Sequence, residues 1–345
     1  MPLALEKTPA KGESIDILNA LRALAAVMVC LFHASFLIAP FSSLTNQVLD
    51  LGQFGVYVFF VISGVVIPLA LEKVNYRLND FPMYMAKRIV RLMPPLIVSA
   101  TIVAISSWFA LHTDAITLLH QWLASITLTA PIVNVPWLNE VYWTLYVEMQ
   151  YYVYIGLLFP FLHRASDKKR RVIVSLILVS SFISLWSPGY AQSKLPFQLP
   201  VFVMGLITYF HYRNIFSRKE YFAWLALSTG VCFYLNGYLH GYSYWIGIMA
   251  ALTSLTIAHV HRGPRLLSAL GEYSYSFYLM HWPVISALCF LAGNVLETLS
   301  GAVMTFVAVL LGSTVVARLF YSLTEQPALR WSRRLHYKRA DSQKD

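Results

Sequence analysis

Apolar runs long enough to cross a bilayer recur from residue 15 to residue 323, and this constrains the chain more than any other feature. The hydrocarbon core takes about 20 residues of helix, and inside it every backbone N–H and C=O must be satisfied within the chain. Runs that recur in this way predict a bundle of helices in a membrane. Composition agrees, since 58% of the 345 residues are hydrophobic and 12% are charged, a balance that excludes an ordinary soluble domain. The reading is an all-α polytopic membrane protein of about ten transmembrane helices. They fall near residues 15–40, 51–71, 83–111, 143–163, 172–186, 196–213, 221–239, 244–261, 273–293 and 301–323. Residues 1–330 make one membrane domain and 331–345 a basic, loosely ordered cytoplasmic tail. The first run lacks a small-residue cleavage pattern and reads as a retained helix, not a secretory signal.

A net charge of +10 raises the question of nucleic acid, and the placement of the basic residues answers it. They cluster at Lys7 and Lys11, from Lys73 to Arg91, from Arg164 to Arg171, at Arg213, Arg218 and Lys219, at Arg262 and Arg265, and from Arg330 onward. The intervening connections, near 40–50, 112–142, 187–195, 240–243 and 294–300, carry a single basic residue, Lys194. Cytoplasmic retention of Lys and Arg produces this alternation. It puts both termini in the cytoplasm and makes membrane lipid, not nucleic acid, the surrounding partner. The same parity decides segment 115–130, which contains His120 and Gln121. Spanning there would switch every later basic loop, so it reads as a re-entrant or surface-lying helix on the outer face.

Three cysteines, Cys30, Cys232 and Cys289, are odd in number and lack metal-ligand spacing, so they read as packing residues. No HExxH, P-loop, GxSxG or dinucleotide fingerprint occurs, so neither a metal nor a permanently bound cofactor is expected. No internal repeat is found, which counts against a transporter built from duplicated halves.

In LRALAAVMVCLFHA, Arg22 and His33 are eleven positions apart. On a helix that is about 16 Å along the axis and about 20° around it. Ionisable groups in a membrane are costly and face a polar interior. The plainer alternative, a snorkelling Arg22 and a hydrogen-bonded core His33, stays open. Glu148, in VYWTLYVEMQYYVY, lies at about the same depth as His33. A carboxylate beside that imidazole would orient it and raise its basicity, as a general base requires. A buried pair that only fixes packing is the alternative.

Around Glu148, aromatics suit either an interfacial belt or a sugar site. Tyr142 and Trp143, near the outer mouth, fit the belt, while Trp143, Tyr152, Tyr278 and His281 are the candidates for lining a substrate site. Arg88 and Arg91, in MAKRIVRLMPP, share a helix face and suit either a phosphate clamp or positive-inside anchoring. Ser274, Tyr278 and His281 recur at helical spacing in GEYSYSFYLMHWPV. Arg318 and Glu325, seven apart, would share a face as a structural pair or as lining residues.

Taken in order, LRALAAVMVCLFHA, FGVYVFFVISGVVIP, KRIVR, WTLYVE and SYSFYLMHWP resemble acyltransferase family 3, over roughly residues 15–330. The family's members are integral membrane enzymes that acylate glycans on a ten-helix core. The resemblance implies that Arg22 and His33 are an essential pair, that Arg88 and Arg91 are the RxxR motif, and that Glu148 is the family's acidic position. Val65 stands where many members have Phe or Tyr, and the soluble esterase-like domain of some members is not recognised in these residues.

What the resemblance implies is a membrane O-acyltransferase, expected to be an O-acetyltransferase, in a bacterial inner membrane. Its donor would be cytoplasmic acyl-CoA, expected to be acetyl-CoA. Its acceptor would be a sugar hydroxyl of a cell-surface or exported polysaccharide or of the lipid-linked precursor, with polysaccharide-assembly proteins as partners. Arg88 and Arg91 would hold donor phosphates, Arg22 would guide the donor, and His33, oriented by Glu148, would be the base. Transient acylation of His33 is the other route. Two rival classes remain: a proton-coupled transporter or flippase with His33, Glu148 and His281 as a relay, and a structural subunit of an export complex.

Overall fold

The computed structural model describes residues 17–111, 113–186, 193–239 and 243–337. Among the described residues there is no strand. In chain order the helices are α1 (Ile17–Ala34), α2 (Ser43–Asp50), α3 (Gly55–Lys73), α4 (Phe81–Leu111), α5 (Ala115–Ile126), α6 (Ala130–Val133), α7 (Trp143–Arg164) and α8 (Asp167–Ser180). There follow α9 (Leu195–Tyr212), α10 (Arg218–Cys232), α11 (Trp245–His259), α12 (Arg265–Gly271), α13 (Ser274–Ala292), α14 (Leu299–Phe320) and α15 (Gln326–Arg334).

A helix occupies each of the ten expected stretches. Six helical segments among the described residues are long and apolar enough to cross a membrane: Ile17–Leu37, Ser43–Lys73, Leu78–Phe109, Arg218–Leu239, Ser274–Glu297 and Leu299–Arg334. The chain is thus a multi-pass membrane protein. Lys7 and Lys11, which contributed to the charge pattern, lie outside the described residues.

α3 is an inner helix: 78% of its most apolar window is buried, against 22% for the segment that contains α14. Its principal neighbour is α9, and two glycines let their backbones touch. A Cβ on Gly64 would lie 2.5 Å from the carbonyl oxygen of Phe202, and one on Gly205 would lie 2.8 Å from the Cα of Gly64. Small residues at a helix crossing permit this close approach. Fixing α3 against α9 leaves Ser63, beside Gly64, directed at α7, where its hydroxyl reaches Glu148.

α5 has 12 residues, too few to span a bilayer. It packs along α4, where Trp122 Nε1 donates to Thr101 Oγ1 at 3.1 Å. Tyr142 departs from the interfacial belt expected of it. It is fully buried and its hydroxyl lies 3.0 Å from Ser99 Oγ, because the short helical turn Glu140–Tyr142 carries it under α4.

Residues 338–345 of the expected tail lie outside the described residues. The expected boundary at residue 331 falls inside α15, which packs against α4. Lys87 Nζ donates to the carbonyls of Ser332 (2.9 Å) and Leu335 (2.5 Å), and Ser332 Oγ donates to the carbonyl of Lys87 (2.9 Å). A lysine at a helix C-terminus satisfies carbonyls that the helix leaves unpaired, so the chain stays ordered past Arg334. Cys30, Cys232 and Cys289 are free thiols, the first two buried.

Candidate active site

α1, α3, α4, α7 and α13 enclose a cavity of about 870 Å³, its open mouth included. Three arginines line it: Arg22 from α1, and Arg88 and Arg91 from one face of α4. Three carboxylates line it too: Glu148 on α7, Glu272 just before α13, and Glu325 before α15. The formal charges balance, yet among the described residues none of the three guanidiniums forms an ion pair.

Two of the carboxylates are satisfied by neutral donors instead. Glu148 Oε1 accepts from Ser63 Oγ (2.8 Å) and from Tyr152 OH (2.6 Å). Glu325 Oε2 accepts from the backbone N–H (3.0 Å) and hydroxyl (2.6 Å) of Ser276. Arg88 lies over the rings of Tyr84 (5.4 Å) and Tyr152 (5.1 Å). Arg22 and Arg91 make no hydrogen bond or ion pair among the described residues. Guanidiniums gathered in a cavity and free of ion pairs make a site for an anion, and their planar fork favours groups that accept two parallel hydrogen bonds, such as phosphate.

The cavity has direction. From Thr144 to Tyr152, both on its wall, α7 advances eight residues, about 12 Å. At the Tyr152 end stands Arg88. At the Thr144 end stands Tyr278, whose hydroxyl lies 2.9 Å from Thr144 Oγ1 and donates to the carbonyl of Val141 at 3.1 Å. Phe59 meets Tyr278 edge-on at 5.9 Å between ring centroids. Behind Tyr278 lies the fully buried His281, its ring 5.7 Å from that of Tyr278. His281 Nε2 lies 2.9 Å from His33 Nδ1.

Of the residues singled out in the sequence, Arg22, Arg88, Arg91, Glu148, Tyr152 and Tyr278 meet on this wall. The expected partnership of His33 with Glu148 is not found: His33 pairs with His281, and Glu148 with Ser63 and Tyr152. Equal depth on two helices fixes height but not direction around each axis, and it is α13 that packs against α1 at His33. His33, the expected base, and Trp143 and His281, expected to line a substrate site, are not on the cavity wall. Trp143 instead meets Phe60 edge-on at 6.2 Å. Nor do Arg318 and Glu325 pair. Arg318 lies over the rings of Tyr273 and Tyr321, because a π-helical turn at Tyr321–Glu325 intervenes and breaks the 3.6-residue period on which that pairing rested.

Ser63, Glu272 and Tyr275 also line the cavity and were not singled out. Ser63 had a signal, a hydroxyl in an otherwise apolar run beside Gly64. Among the described residues, no group of three or more His, Cys, Asp or Glu side chains is disposed to hold a metal ion.

A family model described as an acyltransferase domain matches residues 15–321. The chain is 28% identical over 272 residues to the putative acetyltransferase ORF330 of Acidianus two-tailed virus, which covers 72% of this chain and 79% of that protein. It is 28% identical over 361 residues to the putative membrane-bound transacylase BcsY of Komagataeibacter xylinus, covering 94% and 85%. With the O-acetyltransferase OatA of Staphylococcus aureus it shares 25% identity over 312 residues, 78% of this chain but 50% of that protein. No solved structure matches the chain.

Proposed function

Because the chain belongs to the acyltransferase family whose domain spans residues 15–321, and is therefore an enzyme that transfers acyl groups other than aminoacyl groups, we propose the following donor, acceptor and site. The donor is an acyl-CoA, in the first place acetyl-CoA. The acceptor is a hydroxyl of a cell-surface or exported polysaccharide, or of its lipid-linked precursor, and the enzyme works in a bacterial inner membrane. The names of two relatives, an O-acetyltransferase and a putative membrane-bound transacylase, support an oxygen acceptor and a membrane setting.

One observation carries this reading: uncommitted arginines at one end of a cavity whose other end abuts a histidine pair. Arg88 and Arg91 hold the donor's phosphates, and Arg22 attracts the same charge from the facing helix. Glu148, fixed by Ser63 and Tyr152, offsets the arginines without consuming their donors. An elongated donor laid along α7 brings its thioester to Phe59, Tyr278 and Thr144.

His33 then takes the proton of the acceptor hydroxyl as that oxygen attacks the thioester carbon. The new C–O bond forms, the C–S bond breaks, and the departing thiolate receives the proton from His33. The products are the acyl ester and free CoA thiol. Basic connections on the Arg88 side support a cytoplasmic donor.

The test is transfer from labelled acetyl-CoA to candidate glycans by the purified protein in lipid discs, beside His33→Ala and Arg22→Ala. Loss of transfer is expected in both variants. Undiminished transfer by His33→Ala would remove the assigned base. Movement of glycan without consumption of any acyl donor would instead mark a proton-coupled transporter.

A further inference from the structure

His33 and His281 come together from residues 248 positions apart, with Nδ1 and Nε2 at 2.9 Å. Each neutral imidazole carries one N–H, so across this contact one ring donates and the other accepts; two protonated rings would set N–H against N–H. The surroundings choose the direction. Nδ1 is the ring nitrogen nearer the backbone, and the carbonyls of Phe277 and Tyr278, one turn back on α13, lie against the His281 ring. Neither reaches strict hydrogen-bond geometry with Nδ1, but carbonyls only accept, so a proton on Nδ1 faces two acceptors while a lone pair there faces two lone-pair carriers. His281 therefore carries its proton on Nδ1 and offers Nε2 as an acceptor.

The same reasoning applies to the other ring. The carbonyl of Val29, one turn back on α1, lies against His33, again favouring a proton on Nδ1. His33 then donates Nδ1–H to His281 Nε2, and its own Nε2 lone pair stays bare. Packing holds the pair in place. His281 is fully buried, with the Phe277 ring nearly parallel to it at 6.5 Å. Trp282 meets His33 edge-on at 5.2 Å, and Phe32 packs at 5.0 Å.

We propose that His281 is a positioning residue of the acyl transfer: by accepting from His33 Nδ1–H it fixes the tautomer and ring angle that leave His33 Nε2 as the base. This rests on His33 being the base. An imidazole in the other tautomer carries its proton on Nε2 and cannot take one from the acceptor hydroxyl there. His281 itself touches neither donor nor acceptor. As the hydroxyl proton arrives at His33 Nε2, the ring becomes cationic, and the neutral His281 stabilises it through the same hydrogen bond.

The experiment compares three variants in acetyl transfer, each with kcat and the donor KM measured separately. His281→Phe keeps the ring volume and removes the acceptor. His281→Gln can place an amide oxygen near the position of Nε2, whereas His281→Asn is also polar but too short. Expected is a loss in kcat of roughly 10²- to 10⁴-fold, the usual weight of general-base catalysis, for His281→Phe and His281→Asn. The donor KM should stay unchanged because the arginine cluster is intact, and His281→Gln should recover most of kcat.

Wild-type kcat in His281→Phe or His281→Asn would overturn the proposal, as would a His281→Gln as impaired as His281→Asn at equal donor KM. If His281→Phe does not fold, the contrast between the two amides decides alone. Full activity in His33→Ala would overturn the base assignment itself. A dead His33→Ala beside an active His281→Asn would overturn only the role of His281.

Discussion

Two groups of arginines in this protein treat the same charge in opposite ways. At the ends of α3 and α8 to α10, Arg170, Arg171 and Arg213 each have a carboxylate. Arg213 donates from Nε (3.1 Å) and Nη2 (2.9 Å) to Glu72, Arg171 lies 2.6 Å from Glu220, and Arg170 lies 2.7 Å from Asp167. Inside the cavity, Arg22, Arg88 and Arg91 share the wall with three glutamates and pair with none. Paired arginines hold helices together, whereas those left with uncommitted donors in a cavity are poised for an anion that arrives from outside. A charged group kept partly desolvated without a partner costs stability, so the second region is built for binding at the expense of folding.

The sharpest way to break this contrast is to remove charge from each region and compare activity with stability. Arg91→Ala is expected to lower kcat/KM for the acyl donor by about 10- to 100-fold, the weight of one or two hydrogen bonds to a charged group, and Arg88→Ala to do likewise. Neither should lower the unfolding temperature as much as Arg213→Ala does. A thermal loss at Arg91 larger than at Arg213, with donor kinetics intact, would reverse the assignment of the two regions.

For the paired region the expected effect is smaller and falls on stability alone. Arg213 and Glu72 are partly exposed, at 33% and 19%, and tie the end of α3 to the end of α9. A double-mutant cycle in detergent should return a coupling of about 1 kcal/mol, at the upper end for accessible pairs, with donor KM unchanged. The Arg171–Glu220 pair, whose arginine is 48% exposed, should return about 0.5 kcal/mol or less and fade in high salt. A shift in donor KM in either cycle would show that these arginines also read the donor.

Much of this division was legible in the sequence, and what was hidden has a physical cause. Arg22, Arg88, Arg91, Glu148, Tyr152 and Tyr278 stand out because charges and hydroxyls are conspicuous in apolar runs, and they do converge. Partner identity was not legible. Residue spacing gives depth and face on one helix, but which helix a face meets depends on how the helices pack. Thus His33 meets His281 and not Glu148. Glu325 joins the cavity past a π-helical turn, a local change of period that no count of residues anticipates.

The smallest effect concerns a carboxylate whose partners are entirely local. Asp114 caps α5: Oδ2 accepts from Thr117 Oγ1 (2.6 Å) and Thr117 N–H (2.8 Å), and Oδ1 from Ile116 N–H (3.3 Å). These bonds, with the Thr117 hydroxyl foremost, hold its carboxyl below the ordinary aspartate value of 3.8. The folded state therefore favours the ionised form. The cap is fully present above that ordinary value and is lost as pH falls through the lower folded one. Asp114→Ala should speed amide exchange at Ile116 and Thr117 at neutral pH, while Asp114→Asn, which keeps one acceptor, should do so less. The gap between wild type and Asp114→Ala should close only in acid, below pH 3.8. At neutral pH acyl transfer by these variants should match the wild type, because α5 packs on α4 by Trp122 and Thr101 and contributes nothing to the cavity wall. A fall in transfer on uncapping α5 would mean that the C-terminal end of α4 is coupled to the arginines near its N-terminal end, and the two regions would then no longer be independent.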